Sequence, residues 1–169
     1  MSLPMVMLGG VPIELHAGAP SQQYSSLGGQ ALIRLSAGQG VPMTHWQKTA
    51  ISISGTGWMP PGLDGLDYRQ PLELRCTKPM SMAGTELEFR LNGVPRPDVA
   101  PWAQALVLGQ WQTAAVEMNA DVAQVSPVPG ATLYRVCWMP IFTVTATSRR
   151  GDLDASAAIH GWQIDCEEL

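Results

Sequence analysis

The stretch Glu86-Leu87-Glu88-Phe89-Arg90-Leu91 alternates charged and apolar side chains without a break. Because successive side chains of a strand point to opposite faces, this pattern predicts a β-strand with one buried and one wet face. The same alternation recurs in residues 50–54 and 72–77, and again in residues 162–166 near the end of the chain. We therefore predict a mostly β fold, an antiparallel β-sandwich or barrel.

Glycine and proline divide the chain into strands and loops. Gly9-Gly10 and Gly38-Gln39-Gly40 each separate two apolar runs, with the spacing of hairpin turns. At most one short helix is predicted, at about residues 101–109, because Asp98 and Pro101 resemble a helix start. Residues 1–169 form a single β-rich domain in this interpretation, with extended loops at about 18–30 and 55–70.

The second of these loops carries a rigid apolar tip, Trp58-Met59-Pro60-Pro61. Long loops often form binding surfaces, and Trp and Met are enriched at protein interfaces. We therefore predict a subunit interface made of Trp58, Met59, Pro60, Pro61, Leu63, Tyr68 and Trp162. The alternative is that the loop folds back and caps its own domain.

Composition excludes several classes of protein. The net charge is −4 with dispersed Lys and Arg, which argues against a sequence-specific DNA-binding protein. No apolar run approaches the roughly 18 residues of a membrane span, and residues 1–5 lack the basic start of a secretion signal. Charged residues make up only 14% of the chain, against about 25% in an average domain, which suits a protein covered by neighbouring subunits.

No motif in the sequence indicates catalysis. Cys76, Cys137 and Cys166 lie far apart, so neither a zinc site nor a disulfide framework is indicated, and we expect buried core thiols. Neither a Gly-x-Ser-x-Gly motif nor a metal-binding histidine spacing occurs. We therefore predict a protein that is not an enzyme, with no catalytic residue, no cofactor and no metal.

Four segments together resemble small structural proteins of tailed bacteriophages, particularly the tail-tube and baseplate group. They are the early hairpin of residues 5–17, the run 44–58, the loop 60–68 leading into 72–77, and the aromatic and acidic end 161–169. The resemblance implies a sandwich or barrel that assembles with itself and with other virion proteins into a ring. It also implies an acidic lumen that lets DNA pass without binding. No catalytic residue is carried over.

The stretch 100–125 departs from this resemblance, so a capsid decoration or head–tail connector protein stays an alternative. In either case we expect a protein made in the cytoplasm of the bacterial host and located in the virion, with no membrane contact. An alternative of another class is a β-barrel module that binds a small ligand or carbohydrate through Trp46, Trp58 and Tyr68 on a loop surface.

Overall fold

The computed structural model of the chain describes residues 3–169, so Met1 and Ser2, the start of the predicted domain, lie outside the described residues. Strands make up 61% of the chain and form antiparallel sheets, which confirms the mostly β prediction. The arrangement is sandwich-like and not closed into a barrel. In chain order, the strands are β1 (Met7–Leu8), β2 (Val11–Pro12), β3 (Ser21–Arg34), β4 (Gly40–Gly57), β5 (Leu72–Arg75), β6 (Met80–Gly84), β7 (Glu88–Arg90), β8 (Val94–Pro95), β9 (Trp102–Val107), β10 (Gln110–Ala114), β11 (Val116–Asn119), β12 (Val122–Val125), β13 (Ala131–Trp138), β14 (Pro140–Asp154) and β15 (Ile159–Glu168).

Contacts divide the chain into two compact units. Among the described residues, unit 1 comprises residues 3–7 and Leu74–Phe142, and unit 2 comprises Leu8–Glu73 and Thr143–Leu169. A single 3-10 turn, Leu15–Ala17, is the helical element of unit 2 among the described residues. The expectation of a single domain stays a prediction.

Unit 1 contains two antiparallel sheets, one in the order β10-β9-β13-β6 and one in the order β11-β12-β7. Phe89 and Leu91 are buried while Glu88 and Arg90 are exposed, as their alternation predicts. Buried side chains from both sheets pack against one another and form one shared core. Its buried residues are Phe89, Leu91, Ala103, Ala105, Ala114, Ala123, Val125, Tyr134, Val136 and Trp138.

The helix predicted at 101–109 is wrong, because this segment forms strand β9 and the turn after it. Ala103 and Ala105 are fully buried, with less buried residues between them, which is the period of a strand. Leu108 and Gly109 have φ values of 49° and 78°, and they connect Val107 to its partner Gln110. Two consecutive positive φ values are typical of a tight hairpin turn, so Gly109 marks a turn and not the end of a helix.

Unit 2 contains a long antiparallel sheet in the order β14-β15-β4-β3. The predicted closing strand is confirmed as β15, which lies between β14 and β4 and pairs with both. Ile51, Ile53, Ile164 and Cys166 are buried on one face of this sheet. The other two cysteines, in unit 1, are also buried, and all three are thiols that form no disulfide.

The loop predicted at 18–30 is wrong over most of its length, because Ser21–Arg34 forms strand β3. Its many Ser, Gln and Gly residues are compatible with a strand here, because β3 pairs along its length with β4 and leaves one face wet. The loop predicted at 55–70 begins later than expected, since β4 continues to Gly57. Residues 58–71 lie outside the strands, as predicted.

Candidate functional site

A groove of about 710 Å³ opens on unit 2, between the loop that follows β4 and the hairpin of β14 and β15. Five of the seven predicted interface residues line it, namely Pro60, Pro61, Leu63, Tyr68 and Trp162. Around them lie groups that are polar or charged, namely Asp64, Asp152, Arg149, Arg150 and His160. A concave surface with apolar walls and a few polar groups is typical of a binding site.

Tyr68 fixes the loop that forms one wall of the groove. Its hydroxyl donates a hydrogen bond of 2.8 Å to the carbonyl of Leu63, and the guanidinium of Arg149 lies 3.8 Å from the centre of its ring. Burial raises the pKa of Tyr68 above its ordinary value, although Arg149 opposes that rise. Tyr68 therefore stays a neutral phenol, and the Arg149 side chain is held against it by a cation–π contact.

Trp162 and Leu63 are buried, with 7% and 3% of their surface exposed, so they support the groove more than they present a free surface. The indole nitrogen of Trp162 donates a hydrogen bond of 2.7 Å to the carbonyl of Ala17. A Cβ added at Gly55 would lie 2.6 Å from Cζ2 of Trp162. Only glycine at position 55 lets the indole lie flat against β4.

Trp58 and Met59 form an exposed rim beside this groove. Both backbone amides donate hydrogen bonds to the carbonyl of His16, at 3.1 and 3.2 Å. The Trp58 ring meets the His16 ring edge-on at 5.9 Å, yet 68% of Trp58 and 44% of Met59 remain exposed. The rim is therefore held in place by its backbone while its apolar side chains face water.

A second feature is an arm formed by residues 30–47, the far end of the β3–β4 hairpin. Every residue of the arm is exposed. The predicted Gly38-Gln39-Gly40 turn is confirmed, since Leu35 and Gly38 donate backbone hydrogen bonds that close it. The arm is therefore a two-stranded ribbon that projects from unit 2 and buries none of its own residues.

One face of the arm is apolar. Ile33 lies opposite Val41, and Ala31 lies opposite Met43, so these four side chains share a face. A Cβ at Gly29 would lie 2.7 Å from the Trp46 indole nitrogen, which places the indole on the same side. We call Ala31, Ile33, Val41, Met43 and Trp46 the arm face. Four of them are large apolar side chains that are 39–51% exposed.

The same side of the sheet is polar at the base of the arm. Ser52 lies opposite both Gln23 and Asp165, and its hydroxyl donates a hydrogen bond of 2.7 Å to Oδ1 of Asp165. The Gln163 amide donates to the same oxygen at 2.9 Å. These two hydrogen bonds, that from Ser52 above all, lower the pKa of Asp165. The sheet face therefore changes from polar to apolar where the arm begins, although no core of its own unit lies there.

Charge is also distributed unevenly along the chain. Between Glu14 and Asp64 there is no Asp or Glu, while Arg34 and Lys48 are present. After Arg150 there are five acids and no Lys or Arg. The arm therefore belongs to a positive segment, and the hairpin of β14 and β15 leads into an acidic one.

The arm was not predicted from the sequence, although the sequence contains part of the pattern that forms it. Val41 and Met43 alternate with neighbouring residues beyond the predicted Gly38-Gln39-Gly40 turn, but alternation predicts a buried face, not an exposed one. Trp46, Trp58 and Tyr68 do not share a loop surface. Trp46 lies in β4, separated from Trp58 by 12 residues of extended chain, or roughly 40 Å.

Within residues 3–169, no cluster of three or more His, Cys, Asp or Glu side chains could hold a metal ion. The His16 imidazole is paired with Glu14 at 2.9 Å, on the surface of unit 2. The arrangement offers surfaces for contact with another molecule.

Comparisons with known proteins assign this chain to no family. No family model matches the sequence, and no curated protein matches it. Among the helical segments of the described residues, none is long and apolar enough to span a membrane. The groove, the rim and the arm are therefore the features of this chain that bear on its function.

Proposed function

We propose that this chain is a structural subunit that assembles with copies of itself into a ring, as a tail-tube, tail-tip or baseplate component of a tailed bacteriophage. The observation that carries the proposal is the arm face. Large apolar side chains on a projecting ribbon contribute nothing to the core of their own unit. Contiguous exposed apolar surface of this kind marks a protein interaction site.

The exposed rim and the low charge content support the same proposal. Trp58 and Met59 add a second apolar surface to unit 2, at the other end of β4 from the arm. Strand β3 lies at the edge of its sheet, and a long open edge is normally covered by a neighbour or guarded by charges. A subunit with only 14% charged residues suits coverage by neighbours in a closed assembly.

The bacteriophage assignment follows from the sequence resemblance, and the charge of the chain is compatible with it. A ring of subunits that each carry a net charge of −4 repels DNA, so DNA passes through the lumen without sequence-specific binding. The protein is then made in the host cytoplasm, acts as no enzyme, and reaches the virion through contacts with other virion proteins. A capsid decoration or head–tail connector role uses the same surfaces and is the nearest alternative.

The groove favours one candidate of another class, a ligand-binding module. Its volume of about 710 Å³ and its Tyr68 and His160 side chains suit a small polar molecule. This function leaves the arm face unexplained, which is why we place it second. A monomer that binds an oligosaccharide in calorimetry, with binding lost in Tyr68→Ala, would favour it over assembly.

The proposed function is tested by light scattering and negative-stain electron microscopy of the purified chain. We expect closed rings or tubes, with a mass that is a multiple of 18.2 kDa. A chain that stays monomeric at every concentration would overturn the assembly proposal. Mass spectrometry of isolated phage tails then distinguishes a tail component from a head component, since isolated tails retain only the former.

A further inference from the structure

We propose that the arm of one copy docks in the groove of a second copy, so that subunits join head to tail. This inference rests on the proposed function and adds which two surfaces meet. On the arm, the docking residues are the arm face, Leu35 in the turn, and Arg34, which lies on the opposite face of the inserted ribbon. In the groove, they are Pro60, Pro61, Asp64, Asp152 and Leu153.

The occupant must come from a different copy, because the arm and the groove lie at opposite ends of the same sheet. Strand β4 runs from Gly40 at the arm to Gly57, which pairs with His160 beside the groove. At roughly 3.3 Å per residue, the 17 steps from Gly40 to Gly57 place the arm tip at least about 55 Å from that end of β4. A paired two-stranded ribbon cannot fold back over this distance without breaking its own ladder.

The two surfaces are complementary in shape and polarity. The arm is a narrow projection with exposed Ile33 and Leu35, and the groove is a concave surface with Pro60, Pro61 and the 59%-exposed Leu153 in its walls. Burying such side chains on both partners is what drives association of subunits.

Charge favours contact between the arm and the groove. Arg34 is the one Lys or Arg of the arm, and the arm contains no acid. Asp64 and Asp152 line the groove, where a guanidinium can pair with a carboxylate. The groove also contains two arginines, but Arg149 is held over the Tyr68 ring, and Arg150 lies opposite Gln163, on the sheet face that carries Asp165.

Contact between two different surfaces has a consequence for assembly. The surface used on one copy stays open on the next, so the contact repeats until a ring closes or a tube extends. A subunit that lacks either the arm or the groove can therefore still bind one neighbour through its remaining surface, but it cannot bind a second.

Two variants test the inference. In the armless variant, residues 29–46 are replaced by Asn-Gly, which closes the directly paired Gly28 and Gln47 with a two-residue turn. In the groove variant, Asp64→Lys and Leu153→Lys place positive charge opposite Arg34 at exposed positions. Circular dichroism melting checks that both fold, and light scattering measures their mass.

We expect each variant alone to be monomeric, and an equimolar mixture to form dimers that contain one copy of each variant and grow no further. An armless variant that still forms rings overturns the inference and leaves the proposed function standing. Variants that are monomeric both alone and mixed also overturn it. A wild-type chain that never assembles overturns both proposals.

Discussion

Arg96 and Asp98 form a two-pronged ion pair in unit 1. Nε of Arg96 donates to Oδ1 of Asp98 at 2.8 Å, and Nη2 donates to Oδ2 at 2.6 Å. Nη1 donates to the carbonyls of Met5 and Cys76 at 3.0 and 3.2 Å. Because the arginine side chain is only 1% exposed, this one group joins the N-terminal segment to residues far away in the sequence.

Replacing Arg96 with Met should destabilise the protein by about 2–4 kcal/mol, because it removes four hydrogen bonds from a buried guanidinium to two carbonyls and the Asp98 carboxylate. Urea unfolding measures the change. Arg69→Met is the matched control, since the Arg69–Asp67 pair is exposed to water, which screens it, and should contribute little to stability. Equal urea midpoints for the two variants would show that the buried arginine does not stabilise the fold.

The Gly55→Ala variant should destabilise the protein by about 1–3 kcal/mol, because the new methyl group would displace the Trp162 indole. The indole then loses its hydrogen bond to Ala17. Thermal melting followed by tryptophan fluorescence measures both effects. Gly62→Ala is the control, since a Cβ at Gly62 meets nothing within 4 Å. A melting temperature that is the same for both variants would contradict the close packing.

Asp165 should make stability depend on pH on the acid side. Its pKa in the folded protein is lowered from 3.8 by the Ser52 and Gln163 hydrogen bonds. A lowered folded pKa adds stability that is fully present above pH 3.8 and is lost as pH falls through the folded value. The stability difference between wild type and Asp165→Asn should therefore shrink as pH falls below 3.8.

Urea unfolding at neutral pH and at successive acid pH values tests this dependence. Glu117→Gln, an exposed acid on strand β11, controls for the loss of one negative charge. A difference between wild type and Asp165→Asn that stays constant across this range would show that the carboxylate contributes nothing through its ionisation.

Trp58→Ala should leave stability within about 0.5 kcal/mol of wild type, because 68% of the side chain is already exposed. We expect it to weaken assembly at least tenfold, since an exposed Trp beside the groove that becomes buried on assembly should contribute more than about 1.4 kcal/mol to association. Sedimentation velocity across a dilution series measures this. Leu108→Ala, at a 95% exposed turn of unit 1, should assemble normally. Identical assembly by the two variants would remove the rim from the interface.

Deleting residues 162–169 should abolish cooperative unfolding. This segment carries most of the pairing of β15 with β14 and β4, and it includes buried Trp162, Ile164 and Cys166. The armless variant is the control, since the arm buries nothing and its removal should keep a sharp melting transition. A soluble truncated chain with a sharp transition would contradict the central position of β15.

Sequence patterns predicted the strands whose two faces differ most in environment. Phe89 and Leu91 alternate with charges because one side of their strand packs in a core and the other faces water. The helix prediction at 101–109 failed because Pro101 and Gly109 suit both a helix boundary and a strand boundary. The buried alanines at 103 and 105 carry too little hydrophobic contrast to separate the two periods.

The candidate site was predictable in part. Five residues of the predicted interface line one groove, since a proline-rich loop that packs against a strand hairpin leaves a cleft beside it. Leu63 and Trp162 belong to its buried floor, because an apolar side chain in a loop equally suits a core. The arm was not predictable, since local sequence does not reveal whether an apolar strand face meets its own chain or another.

Because no residue of 30–47 is buried in its own subunit, the amino-acid sequence of this segment can change without affecting the core on which folding depends. Gly28 and Gln47 are directly paired at the base of this segment, so a ribbon of another length or sequence can be joined between them without disturbing the rest of the sheet. The same scaffold can thus acquire a new neighbour by exchanging this one insert, without any redesign of its interior.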